Sequence, residues 1–178
     1  MAKRKKINFR LIDRITGAEP YGILDRMREH HVELGAASIA IAWRLGLSAD
    51  KDGHLILGKC MKASDLQREL VEYDFVILLN RDTWGSFSEE QKCALMDHEL
   101  CHAARVLDDE GNEKFDERGR PIWRIRKHDI EEFQEILQRH GCYKEDLERF
   151  AKALLDKQKT PLFYAPPAPP ERKGRAVN

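Results

Sequence analysis

Side chains along this chain recur with two periods, and the changes of period mark its elements. Leu24, Met27, His31 and Leu34 fall at helical spacing, which predicts a helix over 21–34. Over 38–45 the period drops to two. Ile39, Ile41, Trp43 and Leu45 share one face, with the small Ala40 and Ala42 between them, so this stretch reads as a strand. Asp50-Lys51-Asp52-Gly53 is a turn, and residues 54–60 are expected to return from it as the second strand of a hairpin. Ser64 followed by Gln67 has capping-box spacing and opens a short helix. The densest apolar run, Phe75-Val76-Ile77-Leu78-Leu79, gives the clearest strand, over 74–80.

Ser88-Glu89-Glu90-Gln91 repeats the capping-box pattern and opens the clearest helix, expected to reach about Leu107. Its inward stripe would be Cys93, Met96, Leu100, Ala103, Ala104 and Leu107. Residues 108–120 are polar, contain Gly111 and Gly119, and read as a loop or loose hairpin. Asp129 with Glu132 predicts another helix start, with Ile130, Phe133 and Leu137 on its inner face and Gly141 as its stop. A last helix over 143–157 would bury Leu147, Phe150, Ala151, Leu154 and Leu155. The basic residues 2–6 are expected to be a flexible tail. Ala165-Pro166-Pro167-Ala168-Pro169-Pro170 marks 159–178 as an extended or disordered one.

Composition narrows the picture little. The 178 residues suit one domain, and 42% apolar with 35% charged residues is a soluble composition. A net charge of zero makes no global demand for nucleic acid or an anionic membrane. Neither a signal peptide nor a membrane-spanning run is visible. Cys60, Cys93, Cys101 and Cys142 form no CxxC pair, which argues against a disulfide framework or a cysteine knuckle and suits a reducing cytoplasm.

The candidate chemistry lies at His98-Glu99-Leu100-Cys101-His102. Two histidines four apart on a helix project from one side and can grip one ion, and Glu99 beside them can take a proton from water. Two or three imidazoles favour Zn2+, and catalytic zinc takes three protein ligands. The tight form of the motif, with a glycine and a third histidine just downstream, is absent: Arg105 and Asp108 stand there. The third ligand is expected from Lys127-His128-Asp129-Ile130-Glu131-Glu132-Phe133. His128 just before a helix is the first choice, and Glu131 or Glu132 is the alternative as ligand or supporting group.

Residues 74–80, Trp84 and 88–102 resemble the metallopeptidase domain of phage and prophage proteins. More distantly they are similar to SprT-like and Wss-type zincins, whose third histidine lies in a short segment like His128 to Phe133. This chain has one more residue between that histidine and the phenylalanine than the SprT pattern. The resemblance spans roughly 38–155. It implies an α+β fold, a minimal zincin with a small mixed sheet packed against helices, the HExxH motif on the central helix and a cleft at the sheet edge. The chain is expected to divide into a basic tail and lead-in over 1–19, the metallopeptidase domain over 20–158 and the proline-rich tail over 159–178. The implied activity is zinc-dependent hydrolysis of protein or peptide substrates in a host cytoplasm. A non-catalytic phage protein that binds a host protein, and a protease of DNA-bound proteins drawing on Lys3-Arg4-Lys5-Lys6, are the competing readings.

Other residues have blander roles. Asp97 is either a support for a ligand histidine or an exposed helix residue, and Cys101 points away from His102 as a packing residue. His30, His31, His54 and His140 are expected to be structural or on the surface. Trp43, Trp84 and Trp123 are expected in the core, and Arg124-Ile125-Arg126-Lys127 is expected to be a solvated strand.

Overall fold

The structure, a computed structural model, describes residues 8–157, which form two compact units dividing after His128. The two tails expected at 2–6 and 159–178 lie outside the described residues.

The first unit is built on a four-stranded sheet. β1 (Asn8–Leu11), β2 (Ile39–Leu45), β3 (Gly58–Lys62) and β4 (Phe75–Asn80) stand in the order β1-β2-β4-β3. β2 and β4 are parallel, with Ile41 opposite Ile77, while β1 and β3 pair antiparallel to β2 and β4. The sheet is therefore mixed. The two central strands carry its longest apolar runs, as strands covered on both faces do. Ile39, Ala40, Ile41 and Ala42 are all buried, so the small alanines occupy a second packed face rather than a solvent one.

Two expectations about the sheet are corrected. Residues 54–60 do not form a hairpin with β2. The turn at 50–54 exists, with Asp50 Oδ1 accepting the backbone N–H groups of Asp52 and His54. The returning chain instead passes to the far side of β4, because β4 takes the place beside β2. Residues 8–11, expected to be lead-in, form an edge strand of the sheet.

α1 (Ala18–Arg28) and α4 (Glu89–Cys101) pack together, and their residues join the sheet in one core: Tyr21, Ile23, Leu24, Met96 and Leu100 with Ile39, Ile41, Phe75, Ile77 and Leu79. The helix expected over 21–34 stops at Arg28. His31 to Leu34 turns through one short 3-10 segment, with Arg28 donating to the carbonyls of Leu34, Gly35 and Ala37. α2 (Asp65–Val71) and α4 both begin with the reciprocal capping box that their serines predict. Between them lies the four-residue α3 (Arg81–Trp84), which buries Trp84. Trp84 Nε1 and Lys92 Nζ both donate to Glu19, tying α3 and α4 to α1.

α4 is shorter than expected. It ends at Cys101, and Ala103 to Arg105 forms β5, paired with β6 (Trp123–Ile125). Strand pairing overrides the helical stripe here: Ala103 is buried on β5, and Leu107 is exposed. The loose hairpin expected at 108–120 is present, shaped by Asp108 and Asp116 side chains that each accept two backbone N–H groups. Trp43, Trp84 and Trp123 join the core or pack against it, as expected.

The second unit holds α5 (Gln134–His140) and α6 (Glu145–Lys157). α5 begins five residues later than predicted, and Glu132 Oε1 accepts the N–H of the next residue, Phe133, instead of closing a capping box. Gly141, at φ 67°, ends α5 as expected. Of the residues expected to be buried by this region, Leu147 is buried, while Phe133, Phe150, Leu154 and Leu155 are exposed.

Candidate metal centre

α4 places His98 in its last turn and His102 at its C-cap, which keeps helical backbone angles, so the two rings stay on one side of the helix. Their centroids are 5.0 Å apart, and His128 lies 5.0 Å from the first and 4.6 Å from the second. One ring nitrogen from each lies within 4.8 Å of the others. His128 Nε2 is 3.2 Å from His98 Nε2. Two nitrogens bound about 2.05 Å from one tetrahedral ion stand about 3.3 Å apart, so this spacing fits a shared ion.

His128 arrives by way of the β5–β6 pair. Trp123 is buried edge-on against Phe75 at 5.4 Å, which holds β6 to the main sheet. Just beyond, the Arg126 N–H donates to the His102 carbonyl at 2.7 Å, and His102 Nδ1 donates to the Arg126 carbonyl at 2.8 Å. A carbonyl only accepts, so Nδ1 holds the proton and Nε2 keeps a lone pair, the usual support for a metal-binding histidine. His98 is held below its ordinary pKa, first by partial burial and then by the two neighbouring imidazoles. Both effects favour the neutral imidazole, the form that can bind a metal.

Glu99 follows His98 on α4, and its carboxylate is buried. It is 3% exposed, and burial raises its pKa against the opposing effects of the Cys60 N–H and His102. Its carboxylate lies against β3 at Gly58, where a Cβ would fall 2.9 Å from Glu99 Cδ. A Cβ there would make the carboxylate shift, so the glycine is what lets the two lie this close. Oε2 is buried and has no hydrogen-bond partner among the described residues. A buried carboxylate oxygen without a donor is costly unless something outside the polypeptide satisfies it.

The remaining candidates have partners of their own. Glu131 and Glu132 belong to the second unit, where Glu132 Oε2 accepts from Tyr143 at 2.5 Å and Lys144 at 2.8 Å. These donors hold its pKa down at about 2. Asp97 is neither an idle surface residue nor a support for the triad: its Oδ1 lies 2.7 Å from Nε2 of His31. Sequence reasoning missed Gly58 and this pairing. No local pattern announces either, since each depends on an element remote in the chain.

A family model described as "Putative phage metallopeptidase" matches residues 19–155, and the chain belongs to that family. A metallopeptidase works on protein or peptide substrates with a metal ion, and the donor set of three imidazoles suits such an ion. No curated protein and no solved structure matches the chain. None of its described helices is long and apolar enough to cross a membrane.

Proposed function

We propose that the protein is a zinc-dependent metallopeptidase whose ion is held by His98, His102 and His128, with Glu99 as general base. The observation that carries this reading is the convergence of the three imidazoles beside a buried glutamate with one unpartnered oxygen. Zinc in such a site would act as a Lewis acid and lower the pKa of water toward neutrality.

The polypeptide has the rest of the work. Glu99 Oε2 takes the proton of the attacking water and later delivers it to the leaving amine. Its raised pKa suits this role, because a base too weak to hold the proton could not pass it on. Gly58 keeps the carboxylate close to β3, and β3 is an edge strand of the sheet. An extended peptide laid along that edge would be read through its backbone. The buried Glu99 also weighs against a purely structural ion, which needs no base.

Elemental analysis of purified wild type beside His98→Ala and His128→Ala tests the assignment. The triad reading expects zinc in wild type, lost from the first variant and depleted at least about tenfold in affinity in the second. Zinc kept in His128→Ala would remove His128 from the ligand set. Wild type that takes up no zinc when it is supplied would end the peptidase reading.

A further inference from the structure

A second group of side chains of metal-ligating type draws on α4. Asp97 and Cys101 are four apart, the same spacing as His98 and His102, and are displaced by one residue along the helix. They therefore project from an adjacent strip of its surface. Facing them is His31, from the short 3-10 turn after α1. One ligand atom from each of the three lies within 4.8 Å of the others.

The imidazole is firmly placed. His31 is 8% exposed, and its turn is held by Arg28, which donates to three carbonyls of 34–37. Nε2 faces Asp97 at 2.7 Å, while Nδ1 is 3.6 Å from a Glu33 carboxylate oxygen. A carboxylate behind the far ring nitrogen is the arrangement that orients histidine ligands. Asp97 is half-exposed and Cys101 is exposed, so an ion could reach the group from solvent.

We propose that His31, Asp97 and Cys101 form a second cation site, taking a borderline-soft divalent ion of the zinc class. Imidazole with thiolate selects such an ion over magnesium or calcium, which prefer oxygen alone. Binding releases the Cys101 thiol proton to solvent, moves the His31 ring proton from Nε2 to Nδ1, which faces Glu33, and replaces the His31–Asp97 hydrogen bond with two bonds to the ion. An ion about 2.0–2.3 Å from each ligand needs that 2.7 Å contact to open to somewhat over 3 Å, which rotation of the half-exposed Asp97 provides. The ion would fasten the turn after α1 to the helix that carries His98 and His102. The site shares no ligand with the histidine triad and does not depend on its assignment.

Cobalt(II) is the probe, because a thiolate–cobalt bond adds a near-ultraviolet charge-transfer band that histidine ligation lacks. Full-length protein stripped with a chelator should show that band on titration with cobalt. Cys101→Ser should abolish it and remove one bound equivalent, and Asp97→Asn should weaken that equivalent at least about tenfold. Cys101 is exposed, so its change to serine leaves the core intact. His98→Ala should leave the band in place, so failure of the catalytic assignment and failure of this one are read separately. A wild type without the band, or a band that survives in Cys101→Ser, would overturn the proposal and leave His31–Asp97 as a hydrogen-bonded tether.

Discussion

α4 and α6 are both thirteen residues long, and they invert the usual link between pattern and burial. α6 has the cleaner stripe, with Leu147, Phe150, Ala151, Leu154 and Leu155 at helical spacing, yet Phe150, Leu154 and Leu155 are 53%, 66% and 77% exposed. α4 has the poorer stripe and buries Met96, Glu99 and Leu100 almost completely. The difference lies in what α4 carries. One of its inward positions is a carboxylate, and its outer face holds paired histidines, so charge is scattered around the whole circumference. A helix that carries chemistry loses the amphipathic signature by which packed helices are recognised.

The sharpest test of this contrast is on α4 itself. Glu99→Gln keeps shape and burial but removes the proposed base, and peptide cleavage should fall about a thousandfold with bound metal unchanged. Cleavage at the wild-type rate would show that Glu99 is not the base.

Packing tests the same contrast without reference to activity. Met96 is fully buried, and Met96→Ala should cost about 3 kcal/mol in denaturant unfolding. Leu155→Ala on α6 should stay within about 0.5 kcal/mol. Equal losses at the two positions would mean that α6 packs its apolar face in solution.

A smaller effect separates positioning from chemistry. Gly58→Ala puts a Cβ against the Glu99 carboxylate, and cleavage should slow by about ten- to a hundredfold while metal content holds. An unaffected rate would show that the carboxylate has room to move.

The mildest test concerns the other carboxylate. Tyr143 and Lys144 hold Glu132 down from an ordinary 4.5 to about 2. A depressed folded-state pKa contributes stability above the unfolded value, and that stability is lost as pH falls from 4.5 toward 2. Hydrogen-exchange protection factors across 134–157, taken against the unfolded-chain rate at each pH, should therefore fall over that window, and Lys144→Met should flatten the change. A profile indifferent to Lys144 would remove the ion pair from the account.

What was legible in the sequence follows the range of each interaction. His98, Glu99 and His102 sit within two turns of one helix, so their spacing alone brings them to one site. The capping boxes at Ser64 and Ser88 are equally local and form as expected. His128 stood out as a candidate, but its place beside His98 rests on β5 pairing with β6 and on the double hydrogen bond between His102 and Arg126. Neither was anticipated, because α4 was read through the residues that become β5. The hairpin assigned to 54–60 failed for a related reason. Adjacent strands usually pair, and nothing within β2 or β3 shows that β4 will come between them. Gly58 carried no signal at all until Glu99 was seen lying on it.

That insertion of β4 also governs the order in which the molecule can be assembled. β4 is the last of the four strands to be synthesised, yet it occupies an inner place and bonds to both β2 and β3. As the chain leaves the ribosome, β2 can find β1, but β3 has no neighbour until Asn80 has emerged. Until then the Ile39–Trp43 segment shows an unclosed edge to the cell. Between the emergence of β2 and that of β4 the growing chain thus carries a strand edge that its finished sheet closes.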